Sequence, residues 1–169
     1  VLAEPLAALD LQDVVLRPEK PLVILDQVTD PQNVGAIFRS AAAFGAGAVI
    51  LQSRNAPALG GALAKAAAGA VETLAEVRVV NIARAIYELT DAGWCVVGLA
   101  GEADLSLAQA LETPQPVAIV LGAEGSGLRQ GVAAACSRLA RIPIAAGVES
   151  LNVSNAAAVA CYELARRRS

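Results

Sequence analysis

The chain has 169 residues, a length that suits one ordinary domain. Hydrophobic residues make up 56% of it, charged residues 17% and aromatic residues 3%, which excludes a disordered chain and supports a core of small aliphatic side chains. The net charge is −3 and there is no histidine, which removes Ser-His-Asp and Cys-His chemistry.

Cys95, Cys136 and Cys161 stand apart with no CxxC, so they are expected as reduced, packed thiols of a cytoplasmic protein, and a zinc site is not expected. No run is long and uniform enough to span a membrane, and residues 1–20 lack the basic start of a signal peptide. The chain holds no methionine and starts at Val1. It is therefore expected to be a fragment or processed chain with sequence missing upstream. Charge alternates along it. Residues 31–71 carry three bases and no acid, and residues 113–169 carry six bases and three acids, while the segments before each are acidic. If the two basic segments meet in space, they form a local basic surface on an acidic protein.

Residues 1–20 read as a linker or edge segment. Residues 22–28 (LVILDQV) predict a buried strand. Asp30 is placed to cap a helix with Pro31 at its first position, and 33–44 continues that helix until Gly45 and Gly47 stop it. Val34, Ile37, Phe38 and Ala41 share one of its faces. A strand at 48–52, a helix near 59–70, a strand at 76–80, a helix over 82–92 and a strand at 94–99 follow. A short helix near 106–111 leads to a strand at 117–121, the loop GAEGSG, a short helix at 128–136 and a last strand at 139–144. Pro143 and Gly147 then break regular structure, Asn152 or Ser154 caps an alanine-rich helix, and Arg166, Arg167 and Arg168 suit its negative C-terminal end. Strands alternating with helices, most of them apolar on both faces, predict an α/β fold. Its sheet is mainly parallel and covered by helices on both faces. Ligands bind such sheets outside the strand C-terminal ends, which singles out the loops 29–35, 122–127 and 145–152.

Glycines in 122–127 let a ligand approach backbone N–H groups, although a tight turn explains the same pattern. The spacing is not that of a dinucleotide fingerprint, and Leu128-Arg129 stands where a P-loop needs Lys-Ser/Thr. Arg39 points away from the core face of its helix, as a solvated arginine or a site residue would. Ser150, Asn152, Ser154 and Asn155 form a polar cluster that a plain strand–helix connection does not require.

Together, DPQNVGAIFRSAAAFG, IVLGAEGSGLR and RIPIAAGVESLNVSNAAA resemble the three motifs of the SpoU-type RNA 2′-O-ribose methyltransferases of the SPOUT superfamily. The resemblance covers about residues 21–165. KAAAGAVETL (65–74) further resembles the bacterial 23S rRNA guanosine 2′-O-methyltransferase branch. The resemblance implies a C-terminal deep trefoil knot, whose loops bind S-adenosylmethionine. By motif match Gly122, Ile142 and Leu151 meet that cofactor, with Leu121 and Ile144 nearby. Asn33, Arg39, Glu124, Ser150 and Asn152 fall on the polar active-site positions. It also implies a homodimer acting on RNA, and an upstream RNA-binding domain before residues 21–169.

The family's usual scheme makes Arg39 the base. A guanidinium hardly ever loses its proton, so Arg39 is expected instead to grip a phosphate beside the target ribose. That phosphate, Glu124 or water then takes the proton, and Asn33, Ser150 and Asn152 orient the ribose or the loops. The expected function is methylation of a guanosine ribose in 23S rRNA. The alternatives are a tRNA substrate and a non-catalytic RNA- or cofactor-binding module.

Overall fold

Strand β1 spans Ala8–Leu9, β2 Leu22–Asp26, β3 Ala48–Gln52, β4 Ala75–Val79, β5 Cys95–Leu99, β6 Leu105–Ser106, β7 Val117–Gly122 and β8 Arg138–Arg141. In the computed structural model, which describes residues 8–54 and 74–168, these form one sheet of order β1-β4-β3-β2-β7-β5-β8-β6. Every strand pairing among the described residues is parallel. β2 is buried at all five positions and β7 at its first five, as central strands covered on both faces must be.

The period of two in the strands divides the core in half. Val23, Leu25, Val49, Leu51, Ile119 and Leu121 pack on one face, against helices α2 (Pro31–Ala43), α4 (Leu107–Ala110) and α6 (Val153–Arg168). Leu22, Ile24, Ile50, Val96, Ala118 and Val120 pack on the other, against α1 (Leu11–Val15), α3 (Ile82–Asp91) and α5 (Gln130–Ala135). α2 begins as the sequence predicts. The Asp30 carboxylate accepts from the Gln32 backbone N–H at 2.9 Å, and Pro31 stands at the first turn. It ends where Gly45 turns to φ +81°, with the Ala46 N–H closing back on the Ala41 carbonyl at 2.8 Å.

Three boundaries differ from the sequence reading. The strand expected over 22–28 stops at Asp26, because Gln27 turns to φ +62°. The strand expected over 139–144 spans 138–141, short of Pro143, which has no N–H for a ladder. The segment read as a linker over 1–20 is corrected for its described part. β1 pairs with β4, Leu11 and Val14 are core residues, and the Trp94 indole N–H donates to the Val15 carbonyl at 3.3 Å. Of the two readings, linker or edge segment, the edge segment fits this run. The helix expected near 59–70 and nearly all of the 65–74 motif lie outside the described residues.

After β8 the chain returns from the far side of β5 to lay α6 against α2 and β7. Val153, Ala157, Ala160, Cys161 and Leu164 are its buried face. This return places the 142–152 segment at the same sheet edge as the loops after β2 and β7.

The three cysteines are free. Burial pushes the Cys161 thiol up to about 12. Burial, and then the nearby Asp26 carboxylate, do the same for Cys136. Burial also raises Cys95, against the pull of Arg138 and Arg167. All three are therefore expected to resist iodoacetamide at pH 8 in the folded protein and to react on unfolding. The unfolded thiols ionise first, so stability present below about pH 9 should decline as pH rises from 9 toward 12. Alkylation counted by mass spectrometry and denaturation midpoints across that range check both expectations.

Candidate active site

Parallel strands send all their C-terminal ends to one edge of the sheet, and the site is built there from three loops. The β2–β7 register sets Asp26 opposite Gly122, so the loop after β7 starts level with the turn after β2. That loop closes on itself. Ala123 and Gly127 form an antiparallel bridge, the Gly127 N–H donates to the Ala123 carbonyl at 2.9 Å, and the Ser126 N–H donates to the Glu124 carbonyl at 3.0 Å. Closure needs a glycine at 122. A Cβ there would lie 2.3–2.4 Å from the Gly127 carbonyl group and the Leu128 nitrogen, where no real Cβ fits.

The Asn152 side-chain amide donates to Glu124 Oε1 at 2.6 Å and ties this loop to the one before α6. Its own carbonyl accepts from the Ser154 N–H at 2.8 Å and from the Ser154 hydroxyl at 2.6 Å. Asn152 is thus the cap that the sequence left open between Asn152 and Ser154, and its side chain serves both the helix and the site.

Of the five polar residues expected in the site, only Glu124 and Asn152 touch. The Asn33 amide turns back to Asp30 Oδ2 at 3.5 Å within its own helix turn. Arg39 and Ser150 are exposed, and among the described residues neither has a hydrogen-bond or ion-pair partner.

The expected cofactor positions frame the same edge. Leu121 is buried in the core, so only its backbone can face a ligand, and Ile142 packs against that core. Ile144 is exposed and Leu151 half-buried, and the backbone of neither enters a turn or loop hydrogen bond among the described residues. Unused backbone donors and acceptors between aliphatic side chains suit a ligand with a flat base and polar edges. S-adenosylmethionine fits such a lining.

A second constellation escaped sequence reasoning. Asp26 is wholly buried at the end of an otherwise aliphatic strand, and both its oxygens meet Arg129. Arg129 Nε donates to Oδ1 at 2.7 Å, its Nη2 lies 2.6 Å from the same oxygen, and its backbone N–H donates to Oδ2 at 2.9 Å. Gln52 Oε1 accepts from Gln27 Nε2 at 3.1 Å and from Arg129 Nη2 at 3.5 Å. The one available signal was an acid ending a buried strand, since a charge there requires a partner. The partner lies 103 residues away, and only the strand register brings it near.

The described parts of the two basic segments touch through uncharged groups of the first, and Lys65 lies outside the described residues. Arg129 reaches Gln52, and the Arg168 guanidinium donates to the Phe44 carbonyl at 2.7 Å at the end of α2. Among the described residues no cluster of acids, cysteines and histidines could hold a metal, and no helix is long and apolar enough to cross a membrane.

Residues 20–162 match the model of the SpoU rRNA Methylase family. The 23S rRNA (guanosine-2′-O-)-methyltransferase RlmB of Shewanella oneidensis is 42% identical over 167 residues, covering 98% of this chain and 68% of that protein. The protein of that name from Vibrio cholerae is 44% identical over 160 residues, covering 94% and 64%. The AdoMet-bound rRNA methyltransferase of Sinorhizobium meliloti superposes with a TM-score of 0.81 at 29% identity, covering 96% of this chain and 61% of that one. The chain thus spans about two thirds of the relatives it matches.

Gly122→Ala is expected to hold the 123–128 segment off β7 and to cost at least about 1–3 kcal/mol, the scale of overpacking. Gly131→Ala, in α5 with open space around it, should leave stability unchanged or slightly raised. Urea denaturation midpoints of the two variants check the contrast.

Proposed function

The chain belongs to the SpoU rRNA Methylase family, and from that premise we propose that it transfers a methyl group from S-adenosylmethionine to a ribose 2′-OH of RNA. The substrate we infer is a guanosine of 23S rRNA, the substrate for which the relatives it matches are named. The observation that carries the reading is the Asn152–Glu124 hydrogen bond, which joins two of the motif loops into one polar centre at the edge where such sheets bind ligands.

Gly122, Ile142, Ile144, Leu151 and the backbone of Leu121 are the residues that would hold the cofactor. When bound, it supplies an electrophilic methyl group on a sulfonium. The chain's own task is to place a ribose hydroxyl and receive its proton. Asn152 occupies Glu124 Oε1, which would leave Oε2 to accept the hydroxyl proton while the ribose oxygen takes the methyl group, whose bond to sulfur would break to leave a neutral thioether. Asn33, in the first turn of α2, and Ser150, on the loop before α6, orient the ribose. Arg39 offers an unused guanidinium fork on the exposed side of α2 to a neighbouring phosphate. Fixed placement of the reactants, with water excluded on binding, supplies much of the rate of such a transfer.

Two further features of the family enter the proposal. The return of the chain from β8 to α6 supports a trefoil knot formed by 142–152 and its neighbours. The exposed Val159 and Tyr162 on α6, with the Tyr162 ring edge-on to Phe44 at 5.8 Å, support a homodimer face beside the site. Their neighbours on the helix are otherwise engaged, since Ala160 is buried in the core and Glu163 pairs with Arg166. Sedimentation of the wild-type chain at micromolar concentration is expected to give a dimer, and a Tyr162→Arg variant a monomer. A monomeric wild type would remove the dimer from the proposal.

The reaction is tested by methyl transfer to a 23S rRNA transcript, with the modified nucleotide mapped, and by calorimetric titration of the cofactor. Arg39→Ala and Arg39→Lys should bind S-adenosylmethionine as the wild type does. If Arg39 grips a phosphate, the Ala variant loses most activity. It also loses RNA affinity, and its salt dependence falls by roughly one phosphate contact. The Lys variant keeps the charge without the fork and retains measurable activity. Unchanged RNA affinity, with a Lys variant rescued at high pH, would instead make residue 39 the base.

A further inference from the structure

A loop whose ends are fixed presents its middle at a fixed place. The 122–127 loop is fixed at both ends by one residue, Asp26. Through the strand ladder Asp26 pairs with Gly122, where the loop leaves β7. Through its side chain it receives Arg129, two residues past the loop's end. Glu124 lies between these two ties and carries the bond to Asn152.

The tie is chemically specific. The Asp26 carboxylate has no contact with water, so it needs every interaction it makes. Arg129 satisfies it with Nε and Nη2 on one oxygen and the backbone N–H on the other. Gln52 stands behind the guanidinium, and the Gln27 side chain, carried on a residue held at φ +62°, donates to Gln52. A non-glycine backbone in that region carries strain, which persists where its surroundings hold it. A lysine at 129 would keep a charge and the backbone contact, but would lose the planar arrangement that meets Asp26 and Gln52 together.

We propose that Arg129 is a positioning residue: locked on the buried Asp26, it holds the 122–127 loop so that Glu124 stays in register with Asn152. It touches no reacting atom and acts through Glu124. Its effect on turnover rests on the methyl transfer proposed above, whereas its effect on the loop does not.

The test uses Arg129→Lys in the whole chain. Hydrogen exchange of the Ser126 and Gly127 amides should quicken about tenfold or more, while the amides of β5 keep their wild-type rates. In methyl transfer to a 23S rRNA transcript, kcat should fall about tenfold in the wild-type background and less than about twofold in a Glu124→Gln background. A general loss of fold would quicken exchange throughout and would multiply with the Glu124→Gln loss. Either of those results, or wild-type exchange in the loop, overturns the clamp. If Glu124→Gln leaves no turnover, the exchange rates decide alone. A wild-type chain that transfers no methyl group sinks the methyltransferase reading, and the exchange comparison still judges the clamp.

Discussion

The pairing of β2 with β7 is the constraint on which the rest of the site depends. It runs from Leu22 opposite Ala118 to Asp26 opposite Gly122. Both strands are buried on both faces, so a slip of one residue would turn every side chain to the wrong layer. That cost fixes the register, and the register fixes the chemistry. It brings the first polar residue after one aliphatic run level with the first glycine after the other. The third loop is added by packing of a different kind, as the buried stripe of α6 seats against α2 and β7 and draws 142–152 to the same edge.

Within this arrangement Asp26 is out of keeping with its strand. A buried ion pair is weak evidence for stability, because an apolar pair of similar volume often serves as well, while removing one partner costs about 3–5 kcal/mol. What an apolar pair lacks is direction. The Asp26 carboxylate receives a backbone N–H and a guanidinium from the same residue, and so fixes both where Arg129 lies and how the chain runs through it. The same charge helps keep the Cys136 thiol protonated. One carboxylate thus sets the electrostatics beneath the loop as well as the loop's path.

Much of the fold was legible because it rests on local rules. The apolar runs gave the strands, Asp30-Pro31 gave the start of α2, and Gly45 gave its end. GAEGSG was legible as a loop open to a ligand or as a tight turn, and at Gly122 it is the chain's own Gly127–Leu128 backbone that makes the close approach. What escaped was non-local. Nothing in the spacing links Asp26 to Arg129, and a departure from the P-loop pattern was all that had drawn attention to Arg129. Gln27 read as part of a strand, because a positive φ is a glycine's conformation and no local signal assigns it to glutamine. Residues 8–20 read only as a linker or edge segment because two short elements carry too little periodicity, although Leu11 and Val14 are core residues. For the site, composition and periodicity reached only three loops. Arg39 and the cluster with Ser150 and Asn152 stood out from the residues themselves, their place in one site came from the family resemblance, and the bond between Glu124 and Asn152 came from the structure alone.

The polar residues of the site divide by whether the chain already satisfies them. Glu124 and Asn152 hold each other, Asn152 also caps α6, and Asp26 and Arg129 hold the loop beneath. Arg39 and Ser150 stand exposed and unpartnered among the described residues. Groups that must present a fixed geometry gain from being bonded to one another before any ligand arrives, since no reorganisation is then needed. A group that meets a flexible, charged polymer gains from keeping its donors unused. For Arg39 this accords with the phosphate-gripping role proposed above. A guanidinium exposed on a helix is ordinary, but one on a protein of net charge −3, with no ion-pair partner among the described residues, has its fork available for a phosphate. The bonded groups thus fix the shape of this edge of the sheet, while Arg39 and Ser150 keep donors that no other described residue uses.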